Sequence, residues 1–421
     1  MSRRLQIEQV ADLRSTAPNH YEVSQKLPQG VTSLFGDAVP FGSPQYAAFD
    51  ARSISARVNP PLQEIRGWRV TGSLWPTQRF ILRIPKMWNG RLVVAGTPAQ
   101  RSEFASDIVW SDPVLARGFA YICGNKSQGD SAVLLTGEER LQVGGVTMPR
   151  FYADDLSIAF WQHAPENTFE RWMREFFELT ETAREVIDEL QGRPPELTYA
   201  VGLSNGGLQV RYALERSDAY AGGVSWNAPL WTVEHNLLRN LPEVVEACEY
   251  GIPDSLEALG IPPNVRGATG GSLYERNLAT YWVITSWLYA TMLDPEMSIP
   301  YGDVREPEPA ESWNGRIGSW RFDRSPIIAE RVAAYAHTGA IRGKLIDLAS
   351  EYDHLIPPAI HFHPYGRMVS SAGKRELYRG EVIRHAQHVD AWSDDPNYPD
   401  MRPGYPRALN AFDDLVRWVE G

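Results

Sequence analysis

The chain has few cysteines and no cluster of metal-ligand residues. Cys123 and Cys248 are the only cysteines among 421 residues, so no disulfide framework is expected, and the chain is long enough to rely on a large buried core instead. His354, His361 and His363 lie close together in the sequence. No cysteine or carboxylate cluster joins them at a ligand spacing, and we therefore expect no bound metal.

Basic charge and long apolar runs are also scarce. Lysine and arginine number 41 against 52 acidic residues, a net charge of −11, which argues against a phosphate-binding surface and against nucleic acid as a partner. No run approaches the ~20 apolar residues of a transmembrane helix, and residues 1–22 lack the apolar stretch of a signal peptide. We expect a soluble cytoplasmic protein with no membrane partner. Nothing in the sequence indicates its oligomeric state.

Glycine-rich phosphate-binding patterns are absent as well. Neither G-x-G-x-x-G nor a phosphate-loop motif occurs, so we expect no nucleotide cofactor. Aromatic residues, by contrast, are abundant, with 14 tryptophans and 18 tyrosines. So many large rings require a large core, a sizeable aromatic pocket, or both.

From residue 66 onwards, apolar segments of strand length alternate with segments of helical periodicity. The predicted strands are 66–76, 79–85, 91–96, 119–125, 195–202, 221–229, 343–350 and 378–385. The predicted helices are 111–118, 167–191, 208–216 and 408–421. Asn167 and Glu170 fit a capping box at the start of the second helix. This alternation predicts an α/β fold with a mostly parallel sheet covered by helices on both faces.

One long segment between two predicted core strands does not follow the alternation. Residues 230–342 combine helical pieces with a Pro- and Trp-rich section, and we interpret them as an inserted cap on a core formed by 66–229 and 343–421. Residues 1–65 have weak periodicity and are predicted to be an irregular N-terminal region. The cap carries aromatic rings that either line a substrate pocket or pack the cap onto the core, namely Trp231, Trp282, Trp287, Tyr289, Trp313 and Trp320.

A serine among glycines follows the predicted strand 195–202. The segment GLSNG (202–206) matches the pattern G-x-S-x-G, with a predicted strand before it and a helix after it, which is the context of a nucleophile elbow. In so sharp a turn, side chains at Gly202 and Gly206 would collide with neighbouring backbone. The pattern predicts that the turn presents the Ser204 hydroxyl as a nucleophile. The alternative is a tight turn with an incidental serine.

A serine nucleophile needs a base and a carboxylate that orients the base. In folds with this elbow they follow the serine in the order Asp or Glu, then His. Asp353 lies in the loop after a predicted strand, with Glu351 as a nearby rival. His388 lies in the loop after the last predicted strand, with His385 as its competitor. We predict a triad of Ser204, Asp353 and His388.

Acyl transfer also needs N–H donors aimed at a developing oxyanion. The backbone N–H of Asn205, one residue after the nucleophile, is the first candidate. A second donor is expected from the loop after strand 91–96. We choose Thr97 for this donor, with Ala99 and Gln100 left open.

With these residues in place, the sequence resembles an α/β-hydrolase, and within that superfamily the 3-hydroxybutyrate oligomer hydrolases, also called hydroxybutyrate-dimer hydrolases. The resembling segments are VVAGTPAQRSEFAS (93–106), LARGFAYICGNKSQGD (115–130), LSNGG (203–207), GVSWNAP (223–229) and QHVDAW (387–392). That family has a Ser-Asn-Gly-Gly elbow and a His-Phe-Asp-Ala-type segment around its catalytic histidine, which favours His388 over His385. The sequence departs from the family at Asn125, where the family has an acidic residue, and in its shorter length.

The resemblance implies a serine carboxylesterase that acts on short hydroxyacid esters or small polyester fragments and needs no cofactor. The tannase and feruloyl esterase group is similar at a greater distance, so an aromatic-acid esterase is one alternative. A catalytically inactive hydrolase scaffold used for binding is another. A small-molecule ester is the partner that the resemblance implies.

Overall fold

The computed structural model describes residues 4–14, 31–33, 63–75, 78–98, 103, 106–126, 133–136, 142–143, 146–147, 156–159, 168–251, 253–297, 310–390, 393 and 396–421. Within these residues the strands, numbered β1 to β14 along the chain, are Arg4–Val10, Val31–Ser33, Gly67–Trp75, Gln78–Pro85, Arg91–Gly96, Ala120–Gly124, Val133–Thr136, Gln142–Val143, Val146–Thr147, Leu156–Ala159, Leu197–Leu203, Gly222–Trp226, Lys344–Ser350 and Tyr378–Ile383. The α-helices, numbered α1 to α12, are Asp112–Ala116, Phe169–Gln191, Asn205–Arg216, Leu237–Glu249, Pro253–Ala258, Leu273–Asn277, Val283–Leu293, Ala310–Ser319, Pro326–Ala333, Pro358–His361, His363–Ser371 and Tyr405–Glu420.

Nine strands form one sheet in the order β1-β3-β4-β6-β5-β11-β12-β13-β14. The six strands from β6 to β14 in this order are parallel to one another, whereas β1, β3 and β4 pair antiparallel at one side. Smaller sheets join β10, β7 and β2, and β8 with β9. The main sheet, with its antiparallel beginning and its crossover of β5 and β6, is that of the α/β-hydrolase fold. The predicted fold class is confirmed.

Helices cover both faces of this sheet, as the buried residues of β5 illustrate. Leu92 and Val94 pack in a core with residues of α2 and α3 on one face. Val93 and Ala95 pack in a second core with residues of α1 and α12 on the other face. Because successive side chains of a strand point to opposite faces, the apolar run from Leu92 to Ala95 serves both cores.

A buried ion pair ties α3 to the sheet. The guanidinium of Arg211 donates to the carboxylate of Asp347 on β13 at 2.8 Å and 2.9 Å, and both side chains are fully buried. The hydroxyl of Tyr378 on β14 donates to the same carboxylate at 2.9 Å, and the ring of Tyr365 lies 4.2 Å from the guanidinium carbon. Hydrogen bonds from several sides satisfy a charge pair that burial alone would destabilise.

Helices α4 to α9 lie in the chain between β12 and β13, the segment interpreted as a cap. Their buried side chains form a third core together with residues of α2 and α3. Of the six aromatic side chains singled out in the sequence of this segment, four are buried, with at most 3% exposure: Trp231, Trp282, Tyr289 and Trp320. The side chains of Trp287 and Trp313 lie outside the described part of the structure. The division into core and cap stays a prediction.

Two local predictions need correction. Residues 1–65 were expected to be irregular, but β1 pairs with β3, placing Ile7 opposite Val70. The open edge of β3 supplies hydrogen bonds that the weak periodicity of the segment does not reveal.

In the described residues no helix has the length and apolar character to span a bilayer.

Helix α2 has a different N-terminal cap from the one predicted. Its N-cap is Thr168, whose side-chain oxygen accepts a hydrogen bond from the N–H of Arg171 at 3.2 Å. Glu170 is then one position too early to complete a capping box, because that motif needs the carboxylate at the third helical position. The proposed partner, Asn167, lies outside the described residues.

Candidate active site

Ser204 occupies the turn between β11 and α3. Its backbone φ is +58° and its ψ is −124°, a conformation that residues with a side chain rarely adopt. The N–H of Ser204 donates to the carbonyl oxygen of Trp226 at 2.8 Å, and its own carbonyl oxygen accepts from the N–H of Leu208 at 3.0 Å. The turn is fixed between the sheet and the first turn of α3, which is the geometry of a nucleophile elbow.

The glycines around Ser204 lie where a side chain has no space. A Cβ atom on Gly202 would lie 2.2 Å from the carbonyl carbon of Gly206. On the other side of the elbow, a Cβ atom on Gly207 would lie 2.8 Å from the Cβ of Ala228. The absence of side chains permits β11 to reverse directly into α3.

The structure brings Ser204, His388 and Asp353 together in one hydrogen-bonded chain. Ser204 Oγ lies 3.0 Å from His388 Nε2, and His388 Nδ1 lies 2.7 Å from Asp353 Oδ2. All three residues are buried, with 8%, 2% and 0% exposure respectively. A neutral imidazole that donates Nδ1–H to the carboxylate leaves Nε2 free to accept the serine proton.

The loop after β13 orients the carboxylate of Asp353. Its other oxygen, Oδ1, accepts hydrogen bonds from the N–H groups of Leu355 at 3.0 Å and Ile356 at 2.7 Å. The two rival residues bind each other instead, because Glu351 Oε2 accepts from the backbone N–H of His385 at 2.8 Å. Geometry therefore separates the residues that the sequence left as alternatives.

Two side chains hold the loop that carries His388, and sequence reasoning missed both roles. Asn227, just after β12, donates Nδ2–H to the carbonyl oxygen of His388 at 2.8 Å and to Ser350 Oγ at 3.0 Å. Asp390 accepts from the N–H of Tyr405 at 3.0 Å, at the start of α12. The available signal was the position of Asn227 at the carboxyl end of a parallel strand, where functional side chains gather.

Asn227 also has a positive φ of 50°, which asparagine tolerates better than most residues with a side chain. Its Oδ1 accepts the backbone N–H of Ser350 at 2.8 Å. One amide thus joins the ends of β12 and β13 to the loop of His388. We interpret Asn227 as a positioning residue for the histidine.

The two predicted oxyanion donors lie at the ends of β11 and β5. Asn205 is the first residue of α3, so its N–H belongs to the helix turn that has no intrahelical acceptor. Thr97 directly follows β5 and is 1% exposed. Its hydroxyl donates to the carbonyl oxygen of Gly124, so its contribution to an oxyanion site would come from the backbone N–H. Ala99 and Gln100 lie outside the described residues.

The buried histidines near the triad are engaged with backbone groups. His354 Nε2 lies 3.2 Å from the carbonyl oxygen of Pro263, and burial lowers the pKa of His354 to about 4. His361 Nδ1 accepts from the N–H of Leu230 at 3.1 Å, and burial lowers the pKa of His361 to about 3. Over the part of the chain that the structure describes, no three His, Cys, Asp or Glu side chains come together to hold a metal ion.

This arrangement can activate a hydroxyl for attack on a carbonyl carbon. The base lies within hydrogen-bond distance of the nucleophile and is itself oriented by a carboxylate. The N-terminus of α3 directly behind Ser204 favours negative charge on an attached group. The parts needed for acyl transfer through a covalent intermediate are therefore grouped at the carboxyl edge of the parallel strands.

Comparison with known proteins assigns this chain to no family. No protein-family model matches it, and no curated protein sequence matches it. Among solved structures it is similar to feruloyl esterase B from Aspergillus oryzae, with 14% identity, a TM-score of 0.46, and coverage of 87% of this chain and 82% of that one. It is also similar to an esterase from the same organism, with 11% identity, a TM-score of 0.49, and coverage of 99% and 86%.

A third similar structure is tannin acyl hydrolase from Aspergillus niger, with 11% identity, a TM-score of 0.47, and coverage of 99% of this chain and 82% of that one. Likenesses of this degree do not determine a substrate or a reaction. The fold class follows from the strand order and from the elbow of this chain itself.

Proposed function

We propose that this protein is a serine hydrolase that cleaves carboxylic esters. The observation that supports the proposal most strongly is the hydrogen-bonded chain from Ser204 Oγ through His388 to Asp353, with distances of 3.0 Å and 2.7 Å. An incidental serine in a tight turn would have no reason to meet an oriented imidazole.

In the proposed reaction, Ser204 Oγ attacks the ester carbonyl carbon while its proton passes to His388 Nε2. Asp353 holds the imidazole in the required tautomer and stabilises the imidazolium. The tetrahedral intermediate collapses, the bond to the alcohol oxygen breaks, and the alcohol leaves with the proton from His388. Water, activated by the same imidazole, then hydrolyses the acyl-enzyme, releases the acid and restores the serine.

The oxyanion of each tetrahedral intermediate would accept hydrogen bonds from the N–H of Asn205 and the N–H of Thr97. Preorganised backbone donors of this kind typically contribute about 10²–10³ in rate for each donor. Thr97 directly follows β5 of the central sheet, and Asn205 begins α3, which packs against that sheet; these anchors would keep the donors in place during the reaction.

Within ester hydrolysis, we propose short hydroxyacid esters, such as hydroxybutyrate dimers, as the substrate class. The support is local resemblance: the elbow reads Ser-Asn-Gly-Gly from Ser204, and His388 is followed by Val-Asp-Ala. Gallate and ferulate esters are the competing substrates, and an inactive binding scaffold is the competing role.

Labelling with a fluorophosphonate probe tests the proposed chemistry. The wild-type chain is expected to form a covalent adduct at Ser204, identified by peptide mass spectrometry, and Ser204→Ala is expected to form none. Absence of labelling in the folded wild type would overturn the serine-hydrolase proposal and favour a binding scaffold.

Steady-state rates on hydroxybutyrate dimers, methyl gallate and methyl ferulate then test the substrate class. A higher kcat/KM on the hydroxybutyrate dimer supports the proposal. A higher value on either aromatic ester would replace that substrate class while leaving the proposed chemistry intact.

A further inference from the structure

The hydroxyl of Tyr289 donates a hydrogen bond to the side-chain oxygen Oδ1 of Asn205. Tyr289 lies on α7, in the segment between β12 and β13, and is 84 positions away from Asn205 in the chain. Asn205 is the residue directly after Ser204 and the first residue of α3. A side chain of the predicted cap therefore contacts the elbow one residue from the nucleophile.

Aromatic rings surround Tyr289 and keep water from its hydroxyl. Its ring centroid lies 4.9 Å from that of Trp231, 6.2 Å from that of Trp172 and 6.3 Å from that of Phe169. Tyr289 has 0% exposure and Asn205 has 5%. Burial also raises the pKa of Tyr289, so the hydroxyl keeps its proton and acts as a donor throughout the neutral range.

The contact restricts the asparagine strongly. A hydrogen bond in a dry, low-dielectric environment is stronger than one in water, and leaving the amide oxygen unpaired there would be unfavourable. Tyr289 is fully buried among these rings, and close packing of this kind restricts the movement of a side chain. The side chain of Asn205, the residue whose N–H is the proposed oxyanion donor, is therefore held by a hydrogen bond from another helix.

We propose that Tyr289 is a positioning residue for the oxyanion site, acting through Asn205. This inference rests on the proposed function. Tyr289 does not touch the reacting atoms. It fixes the residue that follows the nucleophile, so that the N–H of Asn205 points at the developing negative charge. An error of a few tenths of an ångström at such a donor weakens transition-state binding more than substrate binding.

Tyr289→Phe tests the proposal, because it removes one hydroxyl and keeps the ring. We expect kcat to fall about tenfold with KM unchanged within about twofold, since a misaligned oxyanion donor affects the transition state selectively. The rate constant of fluorophosphonate labelling should fall by a similar factor. Tyr220→Phe is the matched control. Tyr220 is also buried, its hydroxyl pairs with Thr180 at 2.7 Å, and it lies beyond the far end of α3.

Asn205→Ala provides the second arm of the test. It removes the acceptor of the Tyr289 hydroxyl while keeping the backbone N–H. If Tyr289 acts through Asn205, Tyr289→Phe introduced into Asn205→Ala should lower kcat no further. Asn205→Ala alone tests the same contact if Tyr289→Phe folds poorly. A melting temperature of Tyr289→Phe well below that of Tyr220→Phe would show such poor folding.

Three results would overturn the positioning role. In the first, Tyr289→Phe and Tyr220→Phe have the same kcat. In the second, Tyr289→Phe raises KM at constant kcat, which would mean a substrate-binding role. In the third, the effects of Tyr289→Phe and Asn205→Ala are fully additive. Failure of the proposed function is recognised separately, because in that case the wild-type chain itself is not labelled at Ser204.

Discussion

The carbonyl oxygen of Gly96 lies only 2.2 Å from the position that a Cβ atom on Gly206 would occupy. The contact is reciprocal, since a Cβ on Gly96 would lie 2.5 Å from the carbonyl oxygen of Gly206. The end of β5 and the first turn of α3 thus touch through bare backbone. The contact brings Thr97, the residue after Gly96, beside the elbow that carries Ser204.

Gly206→Ala is expected to destabilise the protein by about 1–3 kcal/mol, the usual cost of inserting a methyl group where there is no space. The added methyl must push β5 away from α3, so the activity should fall along with the stability. Urea unfolding and kcat/KM measure the two effects. Gly315→Ala is the control, because a Cβ atom there meets nothing within 4 Å. Wild-type stability and activity in Gly206→Ala would contradict this account of the elbow.

Asp353→Asn is expected to lower kcat by about 10⁴, as a wrong histidine tautomer does in comparable triads. The amide oxygen can still accept the N–H groups of Leu355 and Ile356, which turns the NH₂ group towards His388. His388 Nδ1 must then accept, so the ring proton moves to Nε2 and the base can no longer take the serine proton. Stopped assays on a chromogenic ester measure the loss.

Glu351→Gln is the matched control for the carboxylate. It changes a carboxylate two positions from Asp353 that binds the backbone of His385. Its kcat should stay within about threefold of the wild-type value, since it leaves the hydrogen-bonded triad intact. Equal losses of kcat in Asp353→Asn and Glu351→Gln would contradict the assignment of Asp353 as the acid that orients His388.

Asn227→Gly and Asn227→Ala separate two roles of the same residue. Both remove the amide that binds the carbonyl oxygen of His388, so both should lower kcat by about tenfold through a less ordered histidine loop. Alanine also has to adopt a φ of +50°, which should make Asn227→Ala roughly 1 kcal/mol less stable than Asn227→Gly. Thermal unfolding and kcat measure the two effects. A kcat equal to that of the wild type in both variants would contradict the positioning role.

Stability is expected to fall as the pH drops below about 6.5, because His354 and His361 are buried in neutral form. Their folded pKa values are about 4 and about 3, against about 6.5 in an unfolded chain. Between these values the unfolded chain binds protons that the folded chain does not, so acidification favours unfolding. Urea unfolding at pH 7, 6 and 5 measures the slope.

The double variant His354→Gln and His361→Gln should show a shallower slope of unfolding free energy against pH than the wild type. His363→Gln, at an exposed position at the start of α11, serves as the control and should keep the wild-type slope. A double variant with an unchanged slope would show that these two imidazoles do not cause the acid sensitivity.

Much of the central fold could be predicted from local pattern. The stretch 92–95 of β5 is apolar throughout because helices cover both faces of that strand, and such runs are visible in the sequence. The predictions failed where structure depended on a distant partner. β1 is a strand because the edge of β3 offers it hydrogen bonds, and the cap of α2 differs by one residue from the predicted position.

The candidate site also divides into features that follow from local sequence pattern and features that depend on tertiary contacts. The pattern around Ser204 could be predicted from the sequence because a sharp strand-to-helix turn requires glycine. The order of acid and histidine after Ser204 could be predicted because the triad requires particular side chains in that order. The sequence placed Asp353 and His388 in the triad but left Glu351 and His385 as rivals. The positions of the side chains separate each pair, because both members lie in one short loop.

By itself, then, the sequence determined eight of the nine strands of the main sheet, helices α1, α2, α3 and α12, and the glycine-lined turn. These follow from the periodicity and the steric limits of neighbouring residues. Only the tertiary structure decided that Asn227 holds His388 and that Tyr289 holds Asn205, over separations of 161 and 84 residues. A hydrogen bond between two side chains depends on where packing places them to within a few tenths of an ångström, and the pattern of either segment alone carries no information about that distance.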